Sequence, residues 1–153
     1  MEKYDYIAYT DGSCDCPGTR CGGSAYIILK NDMIIKEVKK GFMNTSNNRM
    51  EMLAIISAIN SVPEGSSILI YSDSQYAIKV LSGVWKAHTN KDLLNLHKKI
   101  SKKRNVYFKW VRGHNGDKYN EMVDKLASSS CQGAIKSSGM KGVYRNAYSR
   151  YTD

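Results

Sequence analysis

The chain reads as a mixed α/β domain in which helices cover a partly parallel sheet. Three observations predict it. Runs of β-branched and aromatic residues alternate with stretches carrying a helical apolar stripe, in the order β-β-β-α-β-α-α-β-α. One run, Ser67-Ile68-Leu69-Ile70-Tyr71, is almost continuously apolar, the pattern of a central strand covered on both faces. A length of 153 residues, with 42% hydrophobic and 24% charged content, suits one globular domain with a single core.

The first strand is expected over Tyr4 to Thr10, with Asp11 at its end and Gly12 allowing a sharp turn beside it. A loop from Gly12 to Gly23 leads to a second strand, Ser24 to Leu29. The turn Asn31-Asp32 then opens a third, Met33 to Val38, whose Lys36, Glu37, Lys39 and Lys40 make a charged edge. Asn47 or Asn48 can cap a helix whose stripe is Met52, Leu53, Ile55, Ile56 and Ile59. Pro63-Glu64-Gly65 ends it ahead of the central strand. Ser74 can cap a helix from Gln75 to Leu81. Lys91 to Lys103 reads as another, with Leu93, Leu94, Leu96 and Ile100 facing inward. Val106 to Val111 alternates as a fifth strand. After the Gly113-His114-Asn115-Gly116 loop, a last helix is expected from Asp117 to Ser129. The domain is therefore placed at residues 1–130, with 131–153 as a basic, Tyr/Gly/Ser-containing tail without clear periodicity.

An excess of 23 Lys+Arg over 14 Asp+Glu gives a net charge of +9, which favours polyanionic partners, nucleic acid first. No apolar run approaches membrane-spanning length and Met1 to Asp5 is no signal peptide, so a cytoplasmic protein with no membrane partner is expected. Cys14, Cys16 and Cys21 crowd the first loop, with Cys131 far downstream. They lack paired Cys-x-x-Cys knuckles or a nearby histidine, so zinc is disfavoured. Free thiols are expected, a disulfide through Cys131 being the alternative.

Four carboxylates stand in suggestive places. Asp11 ends the first strand and Asp73 the fourth; Glu51 is expected in the first turn of the first long helix, and Asp124 in the last helix. If the first and fourth strands are parallel neighbours, Asp11 and Asp73 emerge side by side where crevices form in open α/β sheets. Carboxylates brought together unpaired repel, and hard divalent cations such as Mg²⁺ or Mn²⁺ resolve the conflict. Taken singly, each has an ordinary reading: Asp11-Gly12-Ser13 as a turn, Glu51 and Asp124 as surface groups near helix N-termini.

The motifs decide between these readings. Tyr9-Thr10-Asp11-Gly12-Ser13-Cys14, Ser46-Asn47-Asn48-Arg49-Met50-Glu51, Tyr71-Ser72-Asp73-Ser74-Gln75-Tyr76, Trp110-Val111-Arg112-Gly113-His114-Asn115-Gly116 and Asn120-Glu121-Met122-Val123-Asp124-Lys125-Leu126-Ala127 occur in this order. Together they resemble type 1 ribonuclease H, over about residues 6–129. The resemblance implies the ribonuclease H-like fold, a five-stranded mixed sheet flanked by helices, its second strand antiparallel to the rest. It implies endonucleolytic hydrolysis of the RNA strand of RNA–DNA hybrids, giving 5′-phosphate and 3′-hydroxyl ends, by a monomer using two Mg²⁺ ions or Mn²⁺ in their place. Asp11, Glu51, Asp73 and Asp124 are then the metal-binding catalytic residues, and His114 assists proton transfer or product release. Cys14, Asn47, Asn48 and Gln75 would line the hybrid groove, with Ser46 or Arg49 on phosphate, reading sugar and backbone rather than base sequence.

Two features depart from the family pattern. Cys16 stands where the first loop often has asparagine, and only Ser82 to Asn90 lies where some members carry a long basic, tryptophan-containing protrusion, so a compact form is expected. Lys98, Lys99, Lys102, Lys103 and Arg104 are either a solvated face or a contact to DNA, as is the tail with Tyr144, Tyr148 and Tyr151. Two rival functions remain: a DNA-cleaving recombination nuclease or transposase on the same fold, and a non-catalytic hybrid-binding module. The Ser-Asn-Asn-Arg-Met-Glu and Gly-His-Asn-Gly segments speak against the first. Retention of all four carboxylates speaks against the second.

Overall fold

A computed structural model describes residues 3–113 and 116–140, so the readings of His114 and of the segment from residue 141 onward lie outside the described residues. The elements are β1 (Tyr6–Cys14), β2 (Gly22–Lys30), β3 (Met33–Phe42), α1 (Asn47–Asn60), β4 (Ser67–Ser72), α2 (Gln75–Leu81), α3 (Lys91–Ser101), β5 (Asn105–Trp110) and α4 (Lys118–Ser138). They form one five-stranded sheet in the order β3-β2-β1-β4-β5. β2 runs antiparallel to both neighbours, while β1, β4 and β5 are parallel.

The first three strands are longer than their own residues suggest, because they extend one another. β2 pairs with β1 as far as Cys14↔Gly22 and with β3 as far as Gly22↔Phe42. Asp11 therefore lies within β1, opposite Ala25, and not at a strand end, and Gly12 is a strand residue and not a turn. The connection shrinks to residues 15–21. There the buried Asp15 accepts hydrogen bonds from the Thr19 amide (3.0 Å) and hydroxyl (2.9 Å). Asn31 and Asp32 both adopt positive φ, 51° and 63°, the backbone a two-residue hairpin needs.

Helices α1, α2 and α3 cover one face of the sheet over the larger core, which includes Ile28, Met52, Ile55, Ile59, Ile68 and Ile70. Helix α4 packs on the other face across β1, β2 and β3, over Ala25, Ile27, Val123 and Ala127. Gly23 makes that approach possible, since a Cβ there would collide with the backbone of Ala127 and Cys131. Coverage of β4 on both faces, as its apolar run implies, holds through the middle of the strand: Ile68 and Ile70 are fully buried on the α1–α3 side and Leu69 is buried on the other, while Tyr71 beyond it is partly exposed.

Several further expectations need correction. Ser46, and neither Asn47 nor Asn48, caps α1, accepting from the Arg49 amide at 3.2 Å, which moves Glu51 into the second turn. Ser74 caps α2 as expected, accepting from the Ala77 amide at 3.0 Å. On α3 Leu93 is buried and Leu94 and Ile100 pack against the core as expected, but His97 is buried in place of Leu96, which is 40% exposed. Helix α4 passes the expected boundary at residue 130. Its buried stripe Val123, Ala127, Cys131, Ala134 continues at helical spacing, and Gly139 ends it in the left-handed conformation. Cys14 and Cys16 are joined in a disulfide, their Cα atoms 5.4 Å apart at the end of β1, whereas Cys21 and Cys131 are free and buried. Arg104 is not available to a ligand: it donates to the Val62 and Ile100 carbonyls at 2.9 and 3.2 Å, closing the α3–β5 turn onto α1.

His97 is 5% exposed, faces the Phe108 ring at 6.0 Å, and neither ring nitrogen has a hydrogen-bond partner among the described residues. Burial pushes its pKa down to about 4. The unfolded chain takes up this proton below about pH 6.5 while the folded chain does not, so the contribution is present above that pH and lost as pH falls toward 4. Thermal unfolding followed between pH 7 and 4 should show a loss of about 2–3 kcal/mol in the wild type that His97→Leu lacks. Parallel curves for the two proteins would rule the effect out.

Candidate active site

The carboxylates converge where β1 outruns β4. Parallel pairing between these strands stops at Tyr9↔Tyr71. Beyond that point β1 continues alongside β2, and the chain leaving β4 turns into α2. Asp11 and Asp73 each follow these partners by two residues, so they project from neighbouring strands at one end of the sheet. Glu51 descends from α1, and ligand oxygens of Asp11, Glu51 and Asp73 all lie within 4.8 Å of one another. Asp124 arrives from α4 close enough to raise the Asp11 pKa, but outside that group. Three of the four sequence-predicted carboxylates thus converge, each from a different element, with the fourth beside Asp11.

Gly12 is the joint between α1 and β1. Its amide donates to Asp11 Oδ1 at 2.9 Å and to Glu51 Oε1. A Cβ at this position would strike the backbone of Glu51 and Met50, so the helix can press its second turn onto the strand only if residue 12 has no side chain. Asp73 is held from the β5 side. Trp110 Nε1 donates to its carbonyl at 3.1 Å, the Val111 amide donates to Ser72 O at 2.9 Å, and Gly113 lies against its carboxylate.

Asp11 is 4% and Glu51 8% exposed. Burial, then the charges of Glu51 and Asp73, raises the Asp11 pKa well above the carboxylate range. Burial and the Asp73 charge push Glu51 up to about 8, against the lowering effect of its hydrogen bonds to Asp11 and Gly12. Oxygen donors, close spacing and suppressed ionisation together fit a hard divalent cation, which would supply the charge these groups lack. The same arrangement without a cation holds protons at neutral pH.

The residues read as hybrid contacts surround this cluster unevenly. Asn47, Asn48 and Gln75 are exposed in the first turns of α1 and α2, one turn before Glu51 and two residues after Asp73. Ser46 spends its hydroxyl on the α1 cap. Arg49 is committed: it donates to Asp92 Oδ1 and Oδ2 at 3.0 and 2.8 Å and to Asn90 Oδ1 at 3.2 Å, tying α1 to α3. That guanidinium is a positioning group for α1 in this structure. Cys14 is bridged to Cys16 instead of presenting a thiol. Gly12 and Trp110 were not singled out as site residues. A glycine in a strand interior is the signal that could have found the first; the indole hydrogen bond has no sequence signature.

A ribonuclease H family model matches residues 3–132. The ribonuclease HI of Synechocystis sp. is 36% identical over 139 residues, covering 81% of this chain and 86% of that protein. A ribonuclease H of Clostridium botulinum is 35% identical over 139 residues, covering 81% and 93%, and one of Francisella philomiragia 35% over 143 residues, covering 84% and 92%. Among solved structures, an N-terminal RNase H domain from Mycobacterium tuberculosis, fused to maltose-binding protein, matches with a TM-score of 0.77 at 17% identity. That match covers 89% of this chain and 99% of the other, and it shows the fold.

Three outcomes follow from the crowding. In EDTA, Asp11→Asn should raise the unfolding midpoint by roughly 3–6 °C, because about 1–2 kcal/mol of like-charge and desolvation cost is removed. Millimolar Mg²⁺ should raise the wild-type midpoint, more at pH 9 than at pH 6, and leave Asp11→Asn nearly unmoved; equal shifts in both proteins would disprove the site. Gly12→Ala should cost about 1–3 kcal/mol in urea unfolding and depress activity as α1 is displaced from β1.

Proposed function

The chain belongs to the ribonuclease H family and is a metal-dependent ribonuclease acting on RNA–DNA hybrids; from that premise we propose the finer reaction: endonucleolytic cleavage of the RNA strand by two divalent ions, with little sequence preference, leaving 5′-phosphate and 3′-hydroxyl ends. The observation that carries the proposal is the convergence of Asp11, Glu51 and Asp73 within 4.8 Å, with Asp124 acting on Asp11 from α4. Bound Mg²⁺, or Mn²⁺ in its place, supplies the Lewis acidity that makes water nucleophilic at neutral pH and neutralises the departing oxygen.

The protein's own groups have separate roles. Asp11, central in the cluster beside Glu51 and Asp73, would be the ligand shared by the cations. Glu51 and Asp73 would hold charge on the leaving-group side, and Asp124 on the side of the attacking water. Gly12 fixes the Glu51 carboxylate through its amide, so the donor set is held before substrate arrives. Asn47, Asn48 and Gln75, exposed beside the cluster, have amides suited to 2′-hydroxyls and base edges, the groups that tell RNA from DNA. Cys14 and Ser46 stand at the same rim and take the more modest part of lining it. His114 moves a proton or assists product release, roles within the chemistry of an imidazole. We read the enzyme as a cytoplasmic monomer. Among the described residues no helix is long and apolar enough to cross a membrane.

The test is cleavage of end-labelled RNA–DNA hybrid, RNA duplex, DNA duplex and single-stranded RNA with Mg²⁺, Mn²⁺ or EDTA. Metal-dependent cutting confined to the RNA of the hybrid is expected, falling by a factor of at least about 10³ in Asp11→Asn and only about 10- to 100-fold in His114→Ala. A wild type that binds hybrid and cuts nothing in either metal would make the protein a binding module.

A further inference from the structure

The sheet has a second open surface beside the carboxylates. Helix α4 packs on β1, β2 and β3, so the β4–β5 half of that face carries no helix among the described residues. Strand register sets two rows across it. Ile7, Leu69 and Tyr107 lie opposite one another, and Tyr9, Tyr71 and Lys109 form the next row. Neither row is polar in the manner of an idle solvent face. Tyr107 is 48% exposed with the Tyr4 ring at 5.1 Å, tilted by 55°. Tyr71 stacks on Tyr9 at 4.7 Å. Between them is a surface depression of about 620 Å³ lined by Lys3, Tyr4, Ile7, Leu69 and Tyr71, with Asn31 and Asp32 at its rim.

Ammonium groups surround the rings. Lys3 Nζ lies 5.5 Å from the Tyr4 centroid and Lys109 Nζ 5.9 Å from that of Tyr71. Lys118 Nζ lies 5.6 Å from Tyr119, which itself packs on Tyr9 at 5.3 Å. Aromatic faces interleaved with cations suit a polyanion that carries flat bases. A protein partner would have to cover these lysines; a single nucleic-acid strand neutralises them with phosphate while its bases use the tyrosines. The platform is also continuous with the reaction centre, because Tyr9 shares the β1 face of Asp11, two residues on, and Tyr71 lies two residues before Asp73, which follows the end of β4.

We propose that the uncovered β4–β5 face is a binding platform for single-stranded RNA, namely an unpaired extension of the RNA strand whose hybrid portion lies at the carboxylates. The inference rests on the hybrid-cleaving reading, since the strand taken by Asp11 and Asp73 is the one that continues onto the platform. Tyr107 and Tyr4 stack bases at the far end, and Lys109 and Lys3 meet the phosphates. The enzyme would accordingly favour junctions where hybrid gives way to unpaired RNA over blunt hybrid.

The test measures binding in the Asp11→Asn background, where cleavage does not interfere, by fluorescence anisotropy. The probes are a blunt hybrid and the same hybrid bearing an oligouridylate extension at the 5′ or the 3′ RNA end, or a DNA extension. One RNA extension should tighten Kd roughly tenfold, the worth of one or two stacked bases. The double substitution Tyr107→Ala with Lys109→Glu should abolish that gain without changing Kd for blunt hybrid or, with Asp11 restored, its cleavage. Tyr107→Trp should retain it. Both side chains are exposed, and circular dichroism with the unfolding midpoint reports any loss of fold; if the double variant is unfolded, the single Lys109→Glu gives the same reading. No gain from either RNA extension, or a gain unaffected by both variants, would overturn the platform. An equal gain from DNA would overturn its assignment to RNA. A dimer in sedimentation that Tyr107→Ala dissolves would give the face to a second copy of the chain. Failure of the wild type to cut blunt hybrid would instead strike the parent reading, which the extension binding does not measure.

Discussion

Everything in this structure is arranged around carboxylates that repel one another at the end of a sheet. Asp11 and Glu51 are almost wholly buried and share their space with Asp73. Burial alone disfavours ionisation of each, and mutual charge adds to it. Such a cluster is a local destabilisation that the remainder of the fold must withstand. The sheet and the packed α1 core supply that resistance, and a divalent cation converts the cost into affinity.

The cluster needs a backbone that brings a helix unusually close to a strand. Gly12 allows it sterically and also anchors it, because the amide exposed by the missing side chain is the one that holds Glu51. The Arg49–Asp92 pair acts from the other end of the same turn, tying α1 to α3 with a bidentate contact between partly exposed groups. An ion pair in that setting adds little stability. Its value lies in orientation: Arg49 is two residues from Glu51, so fixing one helps fix the other.

The two faces of the sheet divide the work. The face under α1, α2 and α3 carries the larger core and is closed to solvent, with Ile68 and Ile70 fully buried. The opposite face is covered by a helix only over β1 to β3, where glycine at residue 23 lets α4 lie flush. A helix that crosses toward β3 leaves β4 and β5 without one, and beside the buried Leu69 their residues on that face are tyrosine and lysine rather than a uniformly charged surface. The reactive carboxylates sit at the boundary between the covered and uncovered halves.

The amino-acid sequence by itself determined the order of the elements, the caps at Ser74 and the Asn31-Asp32 turn, the edge position of β3, and the four acidic positions with the motifs around them. These are local properties: periodicity, turn chemistry and short segments whose residue types answer to their own backbone. Tertiary structure decided what depends on distant partners. Asp11 became a strand residue because β2 pairs past the point where β4 stops. His97 took the buried place expected of Leu96 because the face presented by α3 is set by its packing on α1 and β5. Arg49 found Asp92, Cys14 found Cys16, and α4 ran to Ser138 because the sheet offered it a surface beyond residue 130. Period and composition name the residues that can be buried or charged, but only the closing of long-range contacts chooses which of them meet.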